Sequence, residues 1–212
     1  MSTFLLNGEI EIPFHDDIRV KLSRAVQQTL NDDWDLIALG AHEQSIAHRI
    51  AVHLEPLFPG FHIDCEYNRN KYATKVFVGE FGQKPKAMRP DIIVHRRNTP
   101  ENVLALEMKA NANTKKSNDR KKLKALGAQD GGYLYVGTAF IHVENGIRDI
   151  RKGVLVATIT WFDVDDDALV ERVGEKETLS NSERQSEVEA IARKRSEELK
   201  RKRQVKKTTK NI

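Results

Sequence analysis

Apolar side chains recur every three to four residues in two segments near the start of the chain, which is the spacing of one face of an α-helix. The first segment covers residues 16–32. The second covers residues 43–57, begins at Glu43, and stops where Pro56 and the Pro59-Gly60 pair interrupt the pattern. These patterns predict two amphipathic helices that pack on a core.

The hydrophobic period changes to two in the middle of the chain, as expected for half-buried β-strands. Short apolar runs bounded by turn residues follow the first alternating segment. We predict strands at residues 61–67, 75–78, 92–94, 103–106, 133–136 and 157–162. A polar turn at 96–100 separates two of them, so a meander of three or more strands is expected. The acidic segment 163–167 is interpreted as a solvated turn that closes the body.

Helical character returns twice, each time with many basic residues. Residues 115–126 are predicted to form a helix anchored by Leu123 and Leu126. Residues 181–203 also favour a helix, but their large apolar residues are few: Val188, Ile191 and Leu199. We therefore expect this last helix to protrude from the body or to dock loosely on it.

Length and composition favour a single α/β domain. The 212 residues, 39% hydrophobic and 31% charged, are enough for one core and few for two. The sequence has no apolar run near the ~20 residues of a membrane span, no secretory-type leader in residues 1–14, and a single cysteine, Cys65. We expect a domain over residues 1–178, a charged helical tail over 179–212, no membrane partner, and a cytoplasmic location.

The basic residues are concentrated at the C-terminus. Ten residues between 193 and 211 are basic and two are acidic, so the remainder is net negative although the chain carries +4. A basic tail attracts phosphate groups without sequence preference, yet a solvated terminus explains the charge equally well. The same helix could instead join two copies of the chain or bind a partner protein.

The residues that can support chemistry lie on two neighbouring predicted strands. Glu107 and Lys109 are two residues apart, so a strand presents both on one face. Asp91 precedes the other strand, and pairing of the two strands would bring it close to Glu107. Two converging carboxylates can hold Mg²⁺, or Mn²⁺ in its place, and a lysine beside them can orient a water or stabilise negative charge. This set favours phosphodiester hydrolysis.

A simpler interpretation is an ordinary ion pair on an exposed sheet. The spacing Glu-x-Lys is common, and the chain has a second copy at Glu198 and Lys200 in the charged tail. The copy at Glu107 differs because an apolar run leads into it and the dipeptide Pro90-Asp91 lies one hairpin upstream.

Pro90-Asp91 and Glu107-Met108-Lys109 together resemble the signature of the PD-(D/E)XK nuclease superfamily. The likeness extends over residues 43–143. It implies a restriction-endonuclease-like fold, a mixed central β-sheet flanked by helices. It also implies a Mg²⁺-dependent deoxyribonuclease in which Asp91 and Glu107 bind the metal and Lys109 serves the attacking water.

The resemblance assigns further roles. Glu43 corresponds to a glutamate that an early helix of the family contributes, as an accessory or second-metal ligand. Asp119 and Lys122 lie where the family's next helix often faces the substrate. The basic side chains that would contact the DNA backbone are Lys115, Lys116, Arg120, Lys122, Arg201 and Lys202. The alternative function is a non-catalytic nucleic-acid-binding or scaffolding subunit of the same fold.

Overall fold

The apolar runs in the middle of the chain pair into a mixed β-sheet in the computed structural model. The structure describes residues 3–6, 10–13, 15–70, 73–77, 84–110, 117–128, 132–147, 149–165 and 168–209. Its helices are α1 (His15–Asp32), α2 (Trp34–Leu39), α3 (Glu43–Leu54), α4 (Ser117–Gly127) and α5 (Gln185–Thr209), with 3₁₀ turns at Glu55–Leu57 and Ile150–Lys152. Its strands are β1 (Thr3–Leu6), β2 (Ile10–Pro13), β3 (His62–Cys65), β4 (Arg69–Asn70), β5 (Ala73–Thr74), β6 (Val76–Phe77), β7 (Lys86–Ala87), β8 (Ile92–His95), β9 (Asn102–Ala110), β10 (Gly137–Glu144), β11 (Leu155–Asp165) and β12 (Ala168–Asn181).

Within the described residues the central sheet has six strands in the order β12-β11-β10-β9-β8-β3. Strands β9 and β10 are parallel, and the other neighbours are antiparallel. A parallel pair requires a crossover, and α4 lies in the connection between β9 and β10. The prediction of an α/β fold with a mixed sheet flanked by helices is therefore confirmed.

The two faces of the sheet carry separate groups of apolar side chains because successive strand residues point in opposite directions. On one face the strand residues Leu104, Leu106, Ile141 and Ile159 pack with residues of α1, α2, α3 and α5 in the largest core cluster. On the other face Ala105 and Phe140 belong to smaller clusters that include Leu126 and Leu123 of α4. No helix among the described residues is both long and apolar enough to cross a membrane.

The strand predicted at 133–136 is wrong, and the strand of this region is β10. Tyr133 and Tyr135 are buried while Leu134 and Val136 are exposed, so the side chains of this apolar run alternate as they would in a strand. The backbone there does not form a strand, since Leu134 has a φ of 53° and the Tyr135 N–H donates to the Leu126 carbonyl. Side-chain alternation by itself does not require a paired strand.

The structure also shows where the sheet ends and the last helix begins. The solvated turn predicted at 163–167 is wrong for residues 163–165, which belong to β11 and pair with β12 as far as Asp165 opposite Ala168. Residues 166 and 167 lie outside the described residues. Strand β12 then extends through Asn181, which donates a side-chain hydrogen bond to the Leu30 carbonyl. The last helix therefore begins at Gln185, and residues 179–181 belong to the sheet.

The first half of α5 is docked firmly on the body. Val188 and Ala192 are buried in the main core cluster. Arg195 donates hydrogen bonds to the main-chain carbonyls of Ala38 and Asn145. Beyond this point Leu199 and Val205 are exposed, so the expected protruding helix corresponds to the distal half only.

Two valines on α5 give a matched test of this docking. Val188→Ala removes buried methyl groups and should lower the free energy of unfolding by about 1–3 kcal/mol. Val205→Ala changes a side chain that is 65% exposed and should alter stability by less than about 0.5 kcal/mol. Urea unfolding of both variants measures the difference; equal effects would mean that α5 is not docked.

Between β3 and β8 the chain forms an inserted ribbon, made of β4, β5, β6 and β7. Lys75 connects the strand pair β4–β5 to the strand pair β6–β7. The Lys75 N–H donates to the Asn68 carbonyl, and the Lys75 carbonyl accepts from the Met88 N–H. The Tyr133 hydroxyl adds a further link by donating to the Val76 carbonyl and accepting from the Val76 N–H. The ribbon is thus fixed to the body along its central segment.

The side chain of Lys75 is almost fully buried, with 1% exposed. Its ammonium lies over the rings of Tyr67 and Tyr135, at 5.1 and 5.8 Å from their centroids, and donates to the Arg69 carbonyl at 2.7 Å. Burial lowers the pKa of Lys75 to about 8, against a smaller raising effect of Asp64. Cation–π contacts and one carbonyl replace the water that the ammonium loses.

This lysine should make stability depend on pH in alkaline solution. Between pH 8 and 10.5 the folded lysine loses its proton while the unfolded one keeps it, so the unfolded state binds more protons and stability rises with pH. Over this range the free energy of unfolding of the wild type should rise by about 1–3 kcal/mol more than that of Lys75→Met. Urea unfolding of both proteins at pH 7.5 and 10.5 measures the gain, and parallel pH profiles would contradict it.

Candidate active site

The antiparallel pairing of β8 and β9 brings the first two candidate residues together. Ile92 lies opposite Leu106, and continuing this register by one residue sets Asp91 opposite Glu107. The short apolar strand β8 is buried throughout, so Asp91 is held where the chain enters the sheet. The proximity that the sequence predicted for these two carboxyl groups is present.

Glu107 is the most deeply buried acid of the site, with none of its surface exposed. Burial and, to a smaller extent, the nearby Asp91 carboxylate raise the pKa of Glu107 to about 9, against the lowering effect of Lys122. Its Oε2 accepts a hydrogen bond from Lys122 Nζ at 2.7 Å. Its Oε1 has no hydrogen-bond partner among the described residues. The site therefore contains a buried carboxyl oxygen that can still accept a ligand.

Asp91 is fixed by the backbone of the neighbouring strand. Its Oδ2 accepts a hydrogen bond from the Met108 N–H at 2.7 Å. Burial raises the pKa of Asp91 to about 6, against the lowering effects of this hydrogen bond and of Lys122 and Lys109. Two buried carboxyl groups side by side disfavour double ionisation unless a cation lies between them.

Lys109 projects from the same face of β9 as Glu107 and connects three elements. Its Nζ donates to Glu43 Oε1 at 2.9 Å and to the Met108 carbonyl at 2.8 Å. It also lies 3.4 Å from Asp119 Oδ2, at the start of α4. Two hydrogen-bond acceptors, on α3 and β9, and the Asp119 carboxylate on α4 therefore hold the ammonium in one place.

Glu43 occupies the first turn of α3, where a carboxylate is favoured by the helix dipole. Its second oxygen, Oε2, accepts from the Ala110 N–H at 3.1 Å. Both oxygens of Glu43 are thus engaged with the end of β9. Here Glu43 acts on Lys109 and on the strand, and its assignment as an accessory metal ligand stays a prediction.

A small cavity of about 30 Å³ lies beside this group, lined by Glu43, Gln44, Ala47, Cys65, Glu66 and Asp91. Glu66 continues the alternation of β3 with Asp64, and the sequence leaves this face aimed at the metal or at solvent, with solvent favoured. Its φ of 54° ends that strand, and its N–H donates to the Asp91 carbonyl. This backbone conformation directs a third acidic side chain to the cavity that Asp91 lines. Its strand neighbour Asp64 is instead bound by His95 and Arg97.

The donor set suits a hard divalent cation in part. Mg²⁺ is bound by oxygen ligands such as those of Asp91 and Glu107. Glu107 Oε1 makes no hydrogen bond among the described residues, so it is available to coordinate a cation. No group of three or more His, Cys, Asp and Glu side chains in the described part of the chain is arranged to hold a metal ion. The fit therefore rests on two carboxylates, with water completing the coordination.

The candidate nucleic-acid contacts fall in different places. Lys122 faces the site, where it binds Glu107 and donates to the Arg89 carbonyl at 3.3 Å. Arg120 is exposed, with its guanidinium 5.6 Å from the centre of the Phe162 ring. Arg201 and Lys202 are exposed on the distal half of α5. Lys115 and Lys116 lie outside the described residues.

Comparisons with protein-family models, with curated proteins and with solved structures each gave no significant match to this chain.

The buried position of Glu107 leads to a stability prediction. The buried Glu107 carboxyl group must either take up a proton or be repelled by the Asp91 carboxylate, and the neutral amide in Glu107→Gln avoids both costs. With chelator present, the free energy of unfolding of the variant should therefore equal that of the wild type or exceed it by up to about 1.5 kcal/mol. Addition of Mg²⁺ should raise the Tm of the wild type and leave that of the variant unchanged. Thermal and urea unfolding with and without Mg²⁺ measure both effects. A loss of more than about 1 kcal/mol in the variant would contradict the first expectation.

Proposed function

We propose that the chain is a Mg²⁺-dependent nuclease that hydrolyses phosphodiester bonds of DNA. The observation that supports this most directly is the group of side chains at the β8 and β9 ends. Asp91 lies opposite Glu107, a buried oxygen of Glu107 has no hydrogen-bond partner among the described residues, and Lys109 follows on the same face. The resemblance of Pro90-Asp91 and Glu107-Met108-Lys109 to the PD-(D/E)XK signature is consistent with it.

In this proposal Asp91 and Glu107 hold the metal ion. When bound, the ion polarises a phosphoryl oxygen and lowers the pKa of a water molecule. Binding of the ion would release protons from these carboxyl groups, since burial raises the pKa of both and the Asp91 carboxylate also raises that of Glu107.

Lys109 supplies the positive charge next to the scissile bond. Its ammonium is positioned by Glu43 and the Met108 carbonyl, so little reorganisation is needed when negative charge develops on the phosphate. The same ammonium can donate a hydrogen bond that orients the attacking water. Glu43 acts through Lys109 and is a positioning residue.

Lys122 has a different role from the backbone contact that the sequence suggested. It donates to Glu107 Oε2 from inside the site and limits the repulsion between that oxygen and Asp91. We propose that it holds Glu107 in place for the metal. DNA is the preferred substrate because the resemblance implies it and because exposed basic residues are available to contact its backbone.

The alternative function is a nucleic-acid-binding or scaffolding subunit without catalysis. It is favoured by one observation, that lysine ammonium groups already contact Glu107 and Glu43. Such a subunit would bind nucleic acid in a salt-sensitive way and would show no chelator-sensitive cleavage.

Cleavage of labelled duplex DNA in Mg²⁺ or Mn²⁺ distinguishes the two functions. Asp91→Asn, Glu107→Gln and Lys109→Met should each lower the cleavage rate by about 10²-fold or more, because each removes a ligand or charge used in the transition state. EDTA should abolish cleavage by the wild type, and excess Mg²⁺ should restore it.

The second Glu-x-Lys copy provides the matched control. Glu198→Gln and Lys200→Met make the corresponding changes on an exposed face of α5 and should leave the rate within about twofold. Unchanged cleavage in the folded Asp91→Asn and Lys109→Met proteins would exclude this site. No cleavage by wild type with intact binding would favour the alternative.

A further inference from the structure

The inserted ribbon carries a concentration of positive charge next to the site. Residues 68–90 contain six basic residues and one acidic residue. Four of the basic side chains are described and exposed: Arg69, Lys84, Lys86 and Arg89. The segment with this charge leads directly into Asp91.

The geometry of the ribbon separates an inward from an outward face. Lys75 and Met88 are paired through the backbone, and both side chains are buried against the body. Thr74 and Val76 alternate with Lys75 and are exposed. Arg69 lies opposite Thr74 and reaches its hydroxyl at 3.4 Å, so it belongs to the outward face.

The ribbon presents these charges on a fixed support. Lys75 is held by two aromatic rings and the Arg69 carbonyl, and Tyr133 bonds both backbone groups of Val76. The three backbone segments of the ribbon at Asn68, Lys75 and Met88 lie side by side. Two spacings between neighbouring strands make the ribbon about 10 Å wide here. DNA presents one negative charge per about 1.7 Å of its axis, so a surface of this width faces several phosphates.

We propose that the exposed basic side chains of the inserted ribbon, Arg69, Lys84 and Lys86, bind the phosphate backbone of duplex DNA beside the catalytic group. This inference rests on the proposed function, and it assigns substrate binding to a surface separate from the tail. Arg89 lies at the junction, since its Nε is 3.6 Å from Glu66 Oε2 and its carbonyl accepts from Lys122. It links the ribbon to the site and is left unchanged in the test.

The test measures binding without cleavage, with a fluorescent 30-base-pair DNA duplex in EDTA over a series of NaCl concentrations. The triple variant Arg69→Gln, Lys84→Gln, Lys86→Gln should bind about 10–100-fold more weakly at low salt. The slope of log affinity against log salt should fall in magnitude by about 2–3, at about 0.9 per lost phosphate contact. The Michaelis constant for cleavage should rise by a similar factor while kcat stays near that of the wild type.

The control triple variant Arg24→Gln, Lys152→Gln, Lys176→Gln removes the same charge from exposed positions outside the ribbon. It should keep the wild-type slope. Equal slopes in the two triple variants, or no DNA binding by the wild type, would overturn the ribbon surface. The same assay with a fluorescent single-stranded RNA tests the choice of DNA. If the ribbon triple variant loses more affinity for this RNA than for duplex DNA, the choice of DNA is wrong.

Failure of the ribbon and failure of the nuclease are separate results. If the wild type cleaves DNA and the ribbon variant has an unchanged Michaelis constant, the nuclease function is supported and DNA binding by the ribbon is rejected. Ribbon-dependent binding with no Mg²⁺-dependent cleavage retains the ribbon surface and rejects the nuclease.

Discussion

Burial of the Glu107 carboxyl group beside Asp91 is the constraint around which this end of the protein is organised. A buried acid is costly unless it finds a partner, and two adjacent acids add to that cost. Lys122 from α4 offsets part of it, and the Met108 N–H fixes Asp91. The crossover helix between β9 and β10 is therefore needed for charge compensation as well as for topology.

Three layers of the fold meet at the site, which is why its groups are held so closely. The sheet provides the two carboxyl groups and Lys109, α3 on one face provides Glu43, and α4 on the other provides Asp119 and Lys122. Each lysine joins a helix to the sheet. Changes in the packing of either helix would thus be transmitted to the ammonium positions.

The sequence was sufficient to predict helices, strands and the pairing of neighbouring strands. It was insufficient to predict side-chain contacts between segments that are distant in the chain. The start of α3 at Glu43 and the pairing that brings Asp91 to Glu107 followed from period and spacing. The inward turn of Lys122 was implied only by the family resemblance and not by period or spacing, because a lysine in a basic helix is most simply interpreted as solvated. The burial of Lys75 and the direction of the Glu66 side chain did not follow from the sequence, for a related reason. Burial among aromatic rings and a left-handed backbone angle depend on tertiary contacts that one sequence does not display.

The inserted ribbon has one further consequence, which concerns chain length. Its flanking strands β3 and β8 are antiparallel neighbours, and such strands can be joined by a two-residue turn. The 26 residues between Cys65 and Ile92 therefore exceed what the sheet requires. Because loop-closure entropy grows slowly, each doubling of this connection costs only about 0.6 kcal/mol. Ribbons of other lengths and sequences could be exchanged here while the register of β8 with β9 is preserved.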